Sequence, residues 1–160
     1  MSKRKFIFGV AGLILFLALQ FIPGSKQSNP PVIKERTLQA SLTPPSHIDS
    51  LLRRSCMDCH SNETRWPWYS RVAPLSWGLA SDVTRARKTL NFSEWTRQAG
   101  RRPGIALGYL TAMCAGVKGG RMPPAKYIML HPSARLSASD RDALCAWTAI
   151  AQAPKTAFRQ

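Results

Sequence analysis

Cys56-Met57-Asp58-Cys59-His60 constrains this chain more than any other five residues. Two cysteines separated by two residues can add their thiols to the two vinyl groups of a haem, while the adjoining imidazole reaches the iron from the proximal side. That is the pattern of c-type attachment. The same residues could instead form a Cys56–Cys59 disulfide or half of a zinc site. Structural zinc takes four protein ligands, and the remaining Cys114, Cys145, His47 and His131 are scattered without paired spacing. A thioredoxin-like site would want a strand before the motif and a βαβ frame, and neither is visible. The expected cofactor is one covalent haem c, with Cys56 and Cys59 as thioether positions and His60 as the proximal iron ligand.

The compartment follows from the N-terminus. Lys3, Arg4 and Lys5 precede an apolar run over 6–22, interrupted only by Gln20 and closed by Pro23-Gly24. A cleavable signal has an apolar region of about 7–15 residues and a small-x-small cleavage site, whereas a spanning helix needs about 17–25. No convincing Ala-x-Ala site follows, so the run reads as an uncleaved transmembrane anchor, with a removed signal as the alternative. Positive charge ahead of it keeps residues 1–5 in the cytoplasm. The expected location is a bacterial inner membrane, crossed once, with the remainder in the periplasm.

Residues 23–46 hold five prolines and no aromatic side chain, a composition that predicts a semi-extended tether. A haem-binding domain is expected over 47–152 and a tail over 153–160. Within the domain, Ser46 with Asp49 resembles a capping box for a helix ending near Ser55, whose inner face is Ile48, Leu51 and Leu52. Pro74 suits the first turn of a second helix with Leu75, Leu79, Val83, Ala86 and Leu90 on one face and Arg85, Arg87 and Lys88 on the other. A third helix is expected over 105–118, turning Leu110, Met113, Cys114 and Val117 inward and stopping at Gly119-Gly120. A fourth opens at Ser137, with Asp140 near its positive end and Leu144, Trp147 and Ile150 on one face. No stretch alternates apolar and polar residues long enough for a sheet. The predicted class is all-α: a small helical domain with long loops around one haem.

Lys and Arg number 23 against 8 Asp and Glu, a net charge of +15. From Ser46 onward, 17 basic and 7 acidic residues leave +10, so the basicity belongs to the domain. Such a surface suits an acidic redox partner or anionic headgroups; nucleic acid is not expected outside the cytoplasm. Three histidines and eight acids also leave a thin supply for a hydrolase.

A haem held by one histidine needs a sixth ligand. Met122, in Gly119-Gly120-Arg121-Met122-Pro123-Pro124, sits on a proline-stiffened loop outside any helical stripe and can present its thioether to iron. His131 and Met129 are the alternatives, as is an open site.

From Cys56 to Trp147 these residues come in blocks: Cys-x-x-Cys-His-Ser-Asn-Glu-Thr-Arg-Trp-Pro-Trp-Tyr-Ser (56–70), Pro-Leu-Ser-Trp (74–77), Leu-Asn-Phe-Ser-Glu-Trp (90–95), Arg-Met-Pro-Pro (121–124), Tyr-x-x-x-His-Pro-x-Ala-x-Leu-Ser (127–137) and Leu-Cys-Ala-Trp (144–147). In that order they resemble the bacterial haem-binding domain family, small exported proteins similar to cytochromes c. The resemblance implies covalent haem at Cys56, Cys59 and His60, and a Met-Pro loop placed like the distal-ligand loop of cytochromes c. It supplies no reaction.

Some members of that family have cysteines at the places of Cys114 and Cys145, and in an oxidising compartment such a pair more often bridges than stays free. A Cys114–Cys145 disulfide is therefore expected. Trp66, Trp68, Tyr69 and Trp77 crowd the stretch after the motif, where aromatics either cover a haem edge or fill a small core. Arg121, Arg65 and Arg71 are candidate propionate partners, since guanidinium matches carboxylate in a bidentate fork.

Two functions compete. A six-coordinate iron held by His60 and Met122 makes an anchored monohaem electron carrier and not an enzyme. An open distal site makes a sensor of oxygen, nitric oxide or peroxide, or a peroxidase component, although no distal histidine or acid is evident for O–O cleavage.

Overall fold

The computed structural model describes residues 3–24, 27–100 and 104–152. The predicted 153–160 tail and the first two residues of the 1–5 segment lie outside them. Among the described residues the regular elements are all helical and no strand occurs, so the fold is all-α.

Helix α1, Lys3–Leu19, has no buried residue and is apolar from Phe6 onward. It stops three residues before Ile22. At 1.5 Å per residue its 17 residues span about 25 Å, against a hydrocarbon core of about 30 Å. No helix among the described residues is long and apolar enough to cross a membrane, so a spanning helix over 6–22 is not found. Gln20, the one polar interruption, fastens this end to the domain: its Nε2 donates to the Ala73 carbonyl at 3.2 Å and its Oε1 accepts from the Ala73 N–H at 3.0 Å.

Residues 27–46 fold onto the domain, which corrects the tether reading. Thr37 caps helix α2, Leu38–Leu42, accepting the Ala40 N–H at 3.1 Å, and Leu38 is fully buried. Burying one leucine contributes about 1.5–3 kcal/mol toward holding a proline-rich segment that composition alone describes as extended. Asn29 adds a bond to the Thr64 carbonyl at 2.8 Å.

Helix α3 runs Ser46–Ser55 and buries Ile48, Leu51 and Leu52 as expected. Pro45 is its N-cap, without a side-chain bond; Asp49 instead pairs with Arg53 at 2.6 Å, so the capping box does not form. Cys56 separates α3 from the single turn α4, Met57–His60. Helix α5 spans Leu75–Thr89, α6 spans Trp95–Ala99 and α7 spans Ile105–Lys118. Ala80 and Val83 are the buried positions of α5, whereas Leu75 stays exposed.

Helix α8, Ala125–Leu130, follows the Met122–Pro123 cis peptide, and α9 covers Ala138–Gln152. At the start of α9, Ser137 and Asp140 form a reciprocal capping box: the Ser137 N–H donates to Asp140 Oδ2 at 2.9 Å, and the Asp140 N–H donates to Ser137 Oγ at 3.0 Å. Leu144 and Trp147 point into the core, but Ile150 is exposed, the inner face passing through Thr148 instead. The expected Cys114–Cys145 disulfide joins α7 to α9. Closing a loop of 31 residues' separation stabilises by about 3–4 kcal/mol in the chain-entropy account.

Candidate haem site

One helical turn organises the motif. The N–H groups of Cys59 and His60 both donate to the Cys56 carbonyl, at 3.2 and 2.9 Å. Positions i, i+3 and i+4 of a helix share a side, so Cys56, Cys59 and His60 project together. Both thiols are free, and the alternative Cys56–Cys59 disulfide is not formed. Burial pushes Cys56 up to about 12 and Cys59 up to about 11, with Asp58 and Asp82 adding to the second. At neutral pH both are intact S–H groups.

His60 is prepared as a ligand. Its Nδ1 lies 3.0 Å from the Leu90 carbonyl, which can only accept, so the ring proton belongs on Nδ1, and the Ala86 backbone also interacts with the ring. Burial lowers the imidazole pKa, outweighing the backbone bonds that favour the charged form. A neutral ring with a fixed tautomer is what iron ligation requires. Phe92 braces the ring from 5.9 Å.

The polar residues after the motif hold it in place. The Asn62 N–H donates to Ser93 Oγ at 3.0 Å, Asn91 Nδ2 donates to Asn62 Oδ1 at 2.8 Å, and the Ser93 N–H donates to Asn91 Oδ1 at 3.0 Å. Arg87, expected on the solvent face of α5, turns inward instead. It donates to the carbonyls of Ser61 and Ser28 at 2.7 Å, to Asn29 Oδ1 at 2.9 Å and to Thr64 Oγ1 at 2.8 Å. Burial lowers its pKa.

Asp58, between the two cysteines, is buried and accepts from three directions. The Arg65 N–H and Nε each lie 3.2 Å from Oδ1, Arg65 Nη2 lies 3.4 Å from Oδ2, and the Tyr127 hydroxyl lies 2.7 Å from Oδ2. Neither Asp58, Tyr127 nor Arg87 stands out in sequence as part of the site. The density of Ser, Asn and Thr at 61–64 and 91–93 was the available signal, because buried polar groups must find partners.

The distal candidates separate. Met122 is 42% exposed, its loop held by the N–H groups of Arg121 and Met122, which both donate to the Gly116 carbonyl at 3.0 and 3.1 Å. It walls a cavity of about 350 Å³ with Val117, Ile128, Met129 and Leu136; Cys56, Cys59 and His60 are not among that cavity's walls. His131 is already engaged: Tyr69 Oη lies 2.6 Å from its Nε2, and Tyr127 stacks on it at 4.4 Å and 19°. Met129 is exposed on α8. Arg121 is exposed beside Gly119, and Arg65 is committed to Asp58. Of the aromatics, Trp66 donates to Asn29 Oδ1 at 3.2 Å, Trp77 is half-buried and Trp68 stands in solvent.

A small all-α domain that sets two free thiols and a neutral, oriented imidazole on one turn has a donor set suited to haem. The chain belongs to the haem-binding domain family, whose family model matches residues 14–150. Neither a curated protein nor a solved structure matches it.

Proposed function

We propose that this protein is an exported c-type haem protein that carries single electrons, with haem covalently attached at Cys56 and Cys59 and its iron held by His60. The Nδ1 contact of His60 with the Leu90 carbonyl carries this reading, because it orients a neutral imidazole beside two unpaired thiols. Met122 is the distal ligand of choice: its thioether is unencumbered, whereas His131 is bound to Tyr69. Such a haem supplies a one-electron couple whose potential a Met ligand raises. Arg121 is the guanidinium offered to a propionate.

The Cys114–Cys145 disulfide supports a location outside the cytoplasm. Helix α1, apolar and without a buried residue, is the part of the chain this reading gives to the bacterial inner membrane. The basic domain then faces an acidic redox partner in the periplasm, with no role for nucleic acid. A second reading, binding of oxygen, nitric oxide or peroxide at an open iron, draws on the placement of Met122 in a cavity that His60 does not line.

The test is a denaturing gel stained for haem after acid-acetone extraction of protein matured with c-type machinery. A band that persists, and that Cys56→Ala with Cys59→Ala abolishes, is expected. Haem that washes out overturns covalent attachment.

A further inference from the structure

Four rings run from the surface to the motif. Trp68 is 79% exposed and stands edge-on to Tyr69 at 5.8 Å. Tyr69 meets His131 at 6.2 Å and bonds its Nε2, and His131 stacks on Tyr127 at 4.4 Å. Tyr127 ends the run with its hydroxyl on Asp58, the residue before Cys59. Packed side chains and hydrogen bonds thus connect an indole in solvent to the haem-attachment turn without a gap.

Exposed cations flank this run from Trp68 to Asp58. Arg71 is exposed in the same short helical turn as Trp68. The side chains of Arg65 and Lys126 are 76% and 70% exposed, whereas Asp58 and Asp82, with which they pair, are only 12% and 24% exposed. A docking protein would meet the positive members of these pairs. A large exposed aromatic at the outer end of a run flanked by exposed cations has the composition of an interface anchor, since Trp and Arg dominate binding energy and Lys and Arg steer an acidic partner.

Resting on the electron-carrier reading, we propose that Trp68 with Arg65, Arg71 and Lys126 is the docking point for an acidic one-electron redox protein, and that Tyr69, His131 and Tyr127 are the packed path between that point and the haem. One electron leaves the reduced partner and arrives at ferric iron. No bond forms or breaks, and the rings are the medium for transfer and are not themselves oxidised.

The full haem-loaded chain is mixed in stopped flow with a flavodoxin hydroquinone, an acidic protein that gives up one electron to become its semiquinone. Dithionite, which needs no docking site, serves as the parallel reductant. Trp68→Ala is expected to slow reduction by flavodoxin about tenfold with the dithionite rate and the haem spectrum unchanged. Arg71→Gln with Lys126→Gln should flatten the salt dependence, and His131→Ala should slow the reaction while leaving that dependence as it was. Wild-type speed in Trp68→Ala overturns the proposal. So does a wild type that dithionite reduces and flavodoxin does not, or a Trp68→Ala defect confined to binding anionic vesicles. If dithionite itself produces no reduced haem spectrum, the electron-carrier reading fails first and this inference falls with it.

Discussion

The Tyr127 hydroxyl donates to Asp58 Oδ2 at 2.7 Å, tying α8 to the turn that carries the two free cysteines. Met122, Met129 and His131 all lie within five residues of Tyr127, so this one bond fastens the segment that carries them to the Cys56–His60 turn. Burial first, and then Asp58, push the phenol pKa up, keeping the proton on Tyr127. Tyr127→Phe keeps the ring stacked on His131 but removes the donor. A loss of about 1–2 kcal/mol is expected for a bond to a charged, buried acceptor. Faster amide exchange across 121–131, measured by mass spectrometry with 46–60 unchanged, is the signature; uniform exchange across both segments would contradict the tie.

Replacing Met122 reads the distal ligand directly. Met122→Ala should erase the weak far-red charge-transfer band of thioether-ligated ferric haem, lower the potential and admit carbon monoxide, because an alanine leaves the sixth site to water. Met129→Ala and His131→Ala should keep the band. A spectrum that responds to His131→Ala alone would make the haem bis-histidine.

Arg87 donates to four acceptors from two separate segments of the chain. Arg87→Met fills similar volume but leaves the Ser61 and Ser28 carbonyls without their donor. Denaturant unfolding should show a loss of about 2–4 kcal/mol. Haem incorporation at Cys56 and Cys59 should fall with it, since the same bonds hold 61–64 behind His60.

Asp140 gives the domain an acid-sensitive cap. The Ser137 N–H foremost, and Arg54 at 2.8 Å, hold its carboxyl below the usual range. A depressed folded pKa means stability that is fully present above the unfolded value of about 4 and is lost as pH falls through the folded value. Asp140→Asn should therefore lower Tm at pH 7, and the gap from wild type should shrink between about pH 5 and pH 3. A gap that is constant with pH would mean the charge contributes nothing.

Local pattern was enough for much of this. Ile48, Leu51 and Leu52 recur at helical spacing and α3 buries them; Gly119-Gly120 stops α7 where two glycines should; Ser137 with Asp140 opens α9. The geometry of the motif was legible because Cys56, Cys59 and His60 lie within one turn, where spacing and geometry are the same statement. Periodicity failed where burial depends on what lies opposite. Leu75 and Ile150 continue apolar stripes in sequence yet are exposed, because periodicity marks a face and does not say how far along the helix that face is covered.

By itself, then, the sequence determined an all-helical chain with a Cys-x-x-Cys-His pentapeptide, an apolar N-terminal helix and two cysteines for α7 and α9, since each follows from interactions among residues a few positions apart or from side-chain chemistry. Tertiary structure alone decided that residues 27–46 belong to the domain, that Arg87 turns inward, that His60 meets Leu90 and that Asp58 meets Tyr127. Those outcomes hang on partners between 23 and 69 positions away, among them Leu90 for His60 and Tyr127 for Asp58. A buried donor or acceptor must be satisfied by whatever the fold brings to it, and only the folded chain says which group that is.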